Sequence, residues 1–440
     1  MEVNSLITKN KKIYQPSLIL TIIGIFFYRI SLDWIYVYQV NPVWAYSGFT
    51  INFDFIRYFL TWLVLIALIP FISKNYKSNK PSSAIITIFY LIAFIPASVL
   101  MAFKPMDNEF IILFLLYWVI LSIYHRIIPY FNLRKPIAKE SHFVTNSVLI
   151  IFSLVVIYIS YKYTNFRINL NIFNVYELRE EAKEFDMFII LKYLYSASRV
   201  VLPTLIVYFL VNSKKPIAFW LALIQLLIFS VDGSKSVLFS LILAFSGYFI
   251  YRSNRISWFV WLLLFINVLA ILEERILETT YIMTIFIRRL MFLPQLLNYF
   301  YFDFFSKNEF DYFRQSIIGN LGIDSPYIVR IPIIIGENYY GSSANNGLFS
   351  DAFYNIGIIG ILIMPFLIIL ALRLLDACTM GLDSRILIAS IITTSLNLIS
   401  SSFFTVLLSH GFLALCLILY YLPRKEHLNI SSSKQIAVKQ

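Results

Sequence analysis

Apolar runs of roughly membrane-spanning length alternate along the chain with short polar connectors. The runs lie near 17–38, 55–72, 82–102, 108–127, 143–161, 189–212, 216–231, 236–250, 256–272, 348–372, 385–402 and 404–422. About twenty apolar residues in a helix cross the ~30 Å hydrocarbon core of a bilayer. Because unpaired backbone groups are too costly in lipid, runs of this kind must be helical. The pattern therefore predicts an all-α, polytopic membrane protein with about twelve transmembrane helices forming one integral membrane domain over 1–440. Two connectors are long, 162–187 and 273–347. The second contains an apolar stretch at 281–305 that is interrupted by Arg288, Arg289 and Pro294. A further crossing there would invert every later connector, so the stretch is read as interfacial or re-entrant.

Composition agrees with this class. Of 440 residues, 59% are hydrophobic and 14% charged, and the mean hydropathy is +0.76. The formal net charge of +12 suggests no nucleic-acid partner, because the basic residues sit in small clusters between spans. Such clusters mark the cytoplasmic side. Lys9, Lys11 and Lys12, then Lys74, Lys77 and Lys80, then Arg126, Arg134, Lys135 and Lys139 begin a series. Lys214, Lys215, Arg252, Arg255, Arg373 and Arg385 continue it, and Arg424, Lys425, Lys434 and Lys439 complete it. Both termini are then cytoplasmic, and the short outer connectors hold only Lys104 and Lys235. Trp34, Tyr36, Tyr38, Trp44 and Tyr46 fall at the outer end of the first hairpin as an aromatic belt. The polar 1–15 segment precedes a span-length run without a small-residue cleavage site, so that run is read as a retained span. Cys378 and Cys416 imply neither a disulfide framework nor a metal site, and no cofactor is indicated.

Three constellations carry possible chemistry. Asp232-Gly233-Ser234-Lys235 joins two short apolar runs, so the turn is expected to be recessed below the outer surface. Asp232 or Ser234 can cap the following helix, whose amino end together with Lys235 suits a phosphate or diphosphate. A plain hairpin with a snorkelling lysine explains the same residues. Ser342-Ser343-Ala344-Asn345-Asn346-Gly347 leads into a span with Asp351 in its first turn. Asp351 is read as a general base, a hydroxyl-orienting group or an ordinary helix-start acid. Arg29 and Arg199 lie within spans, where a charge costs at least ~2.5 kcal/mol and marks either phosphate binding or structural pairing. His410, in the last span, is a second proton acceptor or a packing histidine. Arg288 and Arg289 point about 100° apart on a helix, so one of them suffices for a site; Arg314 and Arg330 are further candidates. The charged run at 176–184 reads as a surface helix, more simply a solvated face than a chemical one.

The order of these motifs resembles bacterial O-antigen polymerases of the Wzy type. The likeness rests on Asp232-Gly233-Ser234-Lys235 opening a span, Arg288-Arg289-Leu290-Met291-Phe292-Leu293-Pro294 in a large outer loop, and Asn345-Asn346-Gly347-Leu348-Phe349-Ser350-Asp351 entering the next span. It covers mainly residues 230–365, and Lys235 stands where the family often has arginine. The resemblance implies a GT-C-like inner-membrane glycosyltransferase that joins undecaprenyl-diphosphate-linked repeat units on the periplasmic side. It implies no nucleotide sugar, and it implies a chain-length regulator and a flippase as partners beside membrane lipids. Under it, Asp351, His410 and Arg288 are catalytic. Asp232, Ser234, Lys235, Arg199, Arg289, Arg314, Arg330, Asn345 and Asn346 bind diphosphate or glycan. The arginine pair is expected to meet the recessed turn. An O-antigen ligase and a lipid-linked oligosaccharide flippase are the alternative readings.

Overall fold

A computed structural model describes residues 18–75, 78–171, 175–250, 256–316 and 318–424. Lys9, Lys11, Lys12, Lys77, Arg252, Arg255, Lys425, Lys434 and Lys439, all used for orientation, lie outside them. All regular secondary structure among the described residues is helical, without a strand. In chain order, α1 (Leu18–Ile35) continues through a π-helical turn at Tyr36–Val40 into α2 (Asn41–Trp44), and α3 (Phe55–Asn75) follows. The next helix runs as α4 (Pro81–Phe89), a π turn at Tyr90–Phe94, and α5 (Ile95–Phe103). Then come α6 (Asn108–Ile127), α7 (Ala138–Thr164), α8 (Val175–Lys183), α9 (Ile189–Val211) and α10 (Lys215–Asp232). They are followed by α11 (Lys235–Ile250), α12 (Ile256–Leu277), a π segment at Met283–Phe292, α13 (Leu293–Phe305) and α14 (Ile331–Ile335). Last are α15 (Phe349–Thr379), α16 (Ser384–Ser400), α17 (Phe403–Leu407) and α18 (Phe412–Tyr421). Among the described residues nine helices are long and apolar enough to cross a membrane, which marks a multi-pass membrane protein. Each remaining apolar run is also helical, with α11, α12 and α16 on the runs near 236–250, 256–272 and 385–402.

The helix formed by α4 and α5 is the centre of the bundle, and its whole apolar window is buried. In lipid there is no hydrophobic drive between helices, so close packing and buried polar bonds hold them. The central helix supplies both, through Ala84, Ala93, Ala97 and Ala102 and through Ser82 and Ser98. Arg29 donates from Nε to Ser98 Oγ at 3.0 Å and from Nη2 to Ser98 O at 3.1 Å, and it pairs with Asp33. Nearer the other end, Arg373 donates to Ser82 Oγ at 3.0 Å and pairs with Asp376, whose Oδ1 accepts the Ser82 N–H at 2.9 Å. Of the two readings open for Arg29, this geometry supplies structural pairing.

The 281–305 stretch is one unbroken helical run that packs against α1 and the central helix. The Tyr28 hydroxyl meets Met291 Sδ at 3.3 Å and the Leu91 carbonyl at 3.0 Å. Tyr281 and Ile282 N–H donate to Glu273 at the foot of α12, while Phe305 packs on Tyr327. Its buried residues Met283, Ile287 and Met291 share one face, and Tyr281, Ile285 and Arg289 are exposed.

Two spans are broken where the sequence reads as continuous. Inside α15, Ile356 and Gly357 leave helical geometry, Gly357 with φ +57°. The break frees the Tyr354 and Asn355 carbonyls, which accept the N–H groups of Asp311 at 3.0 Å and Tyr312 at 2.9 Å. The run near 404–422 is likewise split into α17 and α18 by a turn at 408–411. Phe310 lies against Gly357, where an added Cβ would meet its ring at 2.7 Å. Gly357→Ala combines that clash with a left-handed φ and is expected to destabilise the protein by about 1–3 kcal/mol. Thermal unfolding in detergent reads this as a lowered midpoint; an unchanged midpoint would mean that the break is not required.

Candidate functional site

α9 and α10 pack antiparallel, and the deepest charge between them is Arg199. It lies ten residues into α9, about 15 Å along the axis. Asp232, the last residue of α10, forms an ion pair with it. The α10–α11 turn is therefore set well below the start of α9, as the short flanking runs predict. The Asp232 carboxylate also accepts the Ser234 N–H at 2.8 Å and lies 3.2 Å from the Tyr195 hydroxyl. Side-chain exposure is 33% for Arg199 and 9% for Asp232, so the cation faces open space and the anion serves as its anchor.

Gly233 turns the chain at φ +62°, and an added Cβ would lie 2.9 Å from the Val175 carbonyl and 3.0 Å from Leu178 Cβ. α8 thus sits directly on the turn. Ser230 fastens the connector that leads to it, accepting the Asn169 N–H at 2.7 Å and donating to the Arg167 carbonyl at 2.6 Å. Between α8 and the α9–α10 hairpin is a cavity of about 460 Å³, lined by Arg179, Lys183, Lys192, Arg199, Asp232 and Ser234 among others. Lys183 is paired with Glu180 and Arg199 with Asp232. Arg179 and Lys192 add positive charge that no carboxylate of the lining offsets. Such a cavity suits an anion with several negative oxygens.

The other side of Arg199 faces the broken last span. Gly411 packs so tightly on α9 that a Cβ would stand 2.7 Å from Ala197 Cα. His410 Nε2 is 3.1 Å from Ser401 Oγ, and the charge that acts on its ring is that of Arg199. Asp351, 1% exposed, accepts the Phe403 N–H at 2.7 Å and the Asn355 amide at 3.1 Å. A carboxylate so enclosed fixes the 401–410 connector that carries His410.

Sequence-predicted residues thus separate into two groups. Arg199, Asp232, Ser234 and His410 come together, with Asp351 behind them. Lys235 is exposed at the start of α11 and is not in the cavity lining, so it does not converge on the recess. Arg288 is held elsewhere, its guanidinium 3.6 Å from the Trp44 ring centroid and donating to Tyr340 Oη at 2.9 Å. The helical run that carries it packs on α1, the central helix and α15, so the arginine pair does not meet the turn as expected. Arg289 and Arg330 are exposed. Arg314 is taken up by Glu309 and by the carbonyls of Phe310 and Asp311. Asn346 is buried against the Pro294 carbonyl and Asn298, while Asn345 is exposed. Among the described residues no cluster of three His, Cys, Asp or Glu side chains is arranged to hold a metal.

Arg179, Lys183 and Lys192 were not singled out by sequence reasoning. Their signal is spacing: Arg179 and Lys183 are four apart on α8, and Lys192, Tyr195 and Arg199 form an i, i+3, i+7 stripe on α9. Comparison with protein families, curated proteins and solved structures finds no match.

Removing either member of the Arg199–Asp232 pair leaves an uncompensated charge. Arg199→Ala and Asp232→Ala are each expected to lower the thermal midpoint, and the double variant to lose less than their sum, with a coupling of about 1–3 kcal/mol. Additive losses would show that the two groups act separately.

Proposed function

We propose that this protein polymerises undecaprenyl-diphosphate-linked oligosaccharide repeat units at the periplasmic face of a bacterial inner membrane, building O-antigen or a related surface polysaccharide. The observation that carries the reading is the recessed cationic cavity between α8 and the α9–α10 hairpin, opening at the end of the bundle with the long connectors. The reading takes twelve spans with both termini cytoplasmic, a GT-C-like architecture, and 162–187 and 273–347 as periplasmic loops.

In this account Arg179, Lys192 and Arg199 hold the diphosphate of the donor lipid. Their charge is most valuable as the leaving oxygen gains negative charge, since fixed cations in a site of low dielectric need no reorganisation. The hydroxyl at the non-reducing end of a second lipid-linked unit attacks the anomeric carbon. The new glycosidic C–O bond forms as the bond to the diphosphate oxygen breaks, and undecaprenyl diphosphate departs with the electron pair. The attacking hydroxyl's proton passes to His410, whose imidazole Asp351 positions through the 401–410 connector. A chain-length regulator and a flippase are the expected protein partners.

Deletion of the gene in its host tests this by gel analysis of the surface polysaccharide. The expected product is a single-repeat band replacing the ladder; a normal ladder contradicts the reading, and polymer left on the carrier lipid marks a ligase instead. Arg179→Gln with Lys192→Gln, both exposed positions, is expected to reduce polymer formation by about 10²-fold with the protein still present in the membrane.

A further inference from the structure

Two consecutive pairs of non-glycine residues carry positive φ among the described residues, Asn165–Phe166 and Tyr312–Phe313, and the second lies beside the broken α15. Tyr312 and Phe313 are consecutive non-glycine residues with φ +53° and +61°. For bulky L-residues the left-handed region costs roughly 1–2 kcal/mol each, so it persists only where neighbours over-determine it. Here the broken helix does so. The Asp311 and Tyr312 N–H groups take the carbonyls freed at Tyr354 and Asn355, and the Phe313 N–H donates to Asn355 Oδ1 at 2.9 Å. The Asn355 amide in turn bonds Asp351. Phe313 packs against Phe404, the second residue of α17 in the 401–410 connector that carries His410.

Packing accounts for Phe313 but not for Tyr312, which remains 47% exposed. Its ring is nonetheless held. Arg314, fixed by Glu309 and two carbonyls, stands 5.4 Å from the ring centroid, and Phe310 meets the ring edge-on at 6.3 Å. The segment thus spends backbone strain on presenting one rigid aromatic ring, tied through Asn355 to Asp351 and through Phe313 to the His410 connector.

We propose that Tyr312 is a stacking platform for a pyranose ring of the glycan, beside the site of transfer. The axial C–H groups of a pyranose make an apolar face that suits an aromatic ring, and a ring already fixed loses little freedom on binding. This rests on the glycan-polymerase reading and adds a subsite that the cationic cavity does not supply.

The test uses the full chain in detergent, with the host's surface polysaccharide, released from lipid by mild acid, as probe in saturation-transfer NMR. Tyr312→Asn removes the ring but keeps a residue that tolerates positive φ. Tyr312→Phe keeps the ring and loses the hydroxyl. Wild type and Tyr312→Phe are expected to transfer saturation to the sugar protons, and Tyr312→Asn to bind about tenfold more weakly at an unchanged thermal midpoint. Wild-type protein that shows no transfer, or Tyr312→Asn that binds as wild type does, overturns the platform. The deletion strain's ladder judges the polymerase reading separately, since that reading fails if the ladder is normal or if polymer accumulates on the carrier lipid.

Discussion

The ion pair between Arg199 and Asp232 is the interaction on which the candidate site depends. An arginine inside an apolar bundle must be paired or solvated, and here it is partly both. Pairing draws the end of α10 down to the depth of Arg199, which makes the turn at Gly233 a recess. Glycine then lets α8 lie on that turn with no side chain between them. α8 in its place brings Arg179 and Lys183 opposite Lys192 and Arg199. One buried pair thereby decides where a long polar connector sits and converts scattered cations into a single cavity.

The second constraint is that backbone groups in an apolar bundle must find partners. α15 and the last span both break at the connector end, and the liberated groups are used. Carbonyls at Tyr354 and Asn355 accept from the 311–312 backbone, the Phe403 N–H donates to Asp351, and the Gly347 N–H donates to the Ile399 carbonyl at 3.0 Å. Irregular backbone at this depth occurs where it is enclosed by protein or lines a cavity. Both breaks bear on the 401–410 connector beside Arg199. The two arginine clusters on the central helix, at Arg29 and Arg373, have their donors taken by serines, carbonyls and carboxylates and serve the bundle itself.

Much of the architecture was legible because helices in lipid follow from run length alone. Every apolar run became a helix, and the 281–305 stretch, interrupted by Arg288, Arg289 and Pro294, is helical as well. The recess at Asp232 was also legible from the short flanking runs. Which cations would meet there was not. Arg288 looked available but stacks on Trp44, a residue more than two hundred positions away, and no local pattern reveals such a partner. Lys235 follows the turn but points outward from the first residue of α11. Arg179 and Lys183 sit in a run whose charge pattern equally fits a solvated face, and only the contact of α8 with Gly233 turns that face to use. The break at Gly357 was hidden because Asn355-Ile356-Gly357 lies in an otherwise apolar run, and a single glycine does not announce a kink.

The most direct measurement is binding of undecaprenyl diphosphate to the purified chain by native mass spectrometry, with wild type compared against Arg179→Gln combined with Lys192→Gln. The account predicts a bound species in the wild type that is preferred over undecaprenyl monophosphate and largely lost in the double variant. Equal occupancy in the two proteins, or no preference for the diphosphate, would contradict it.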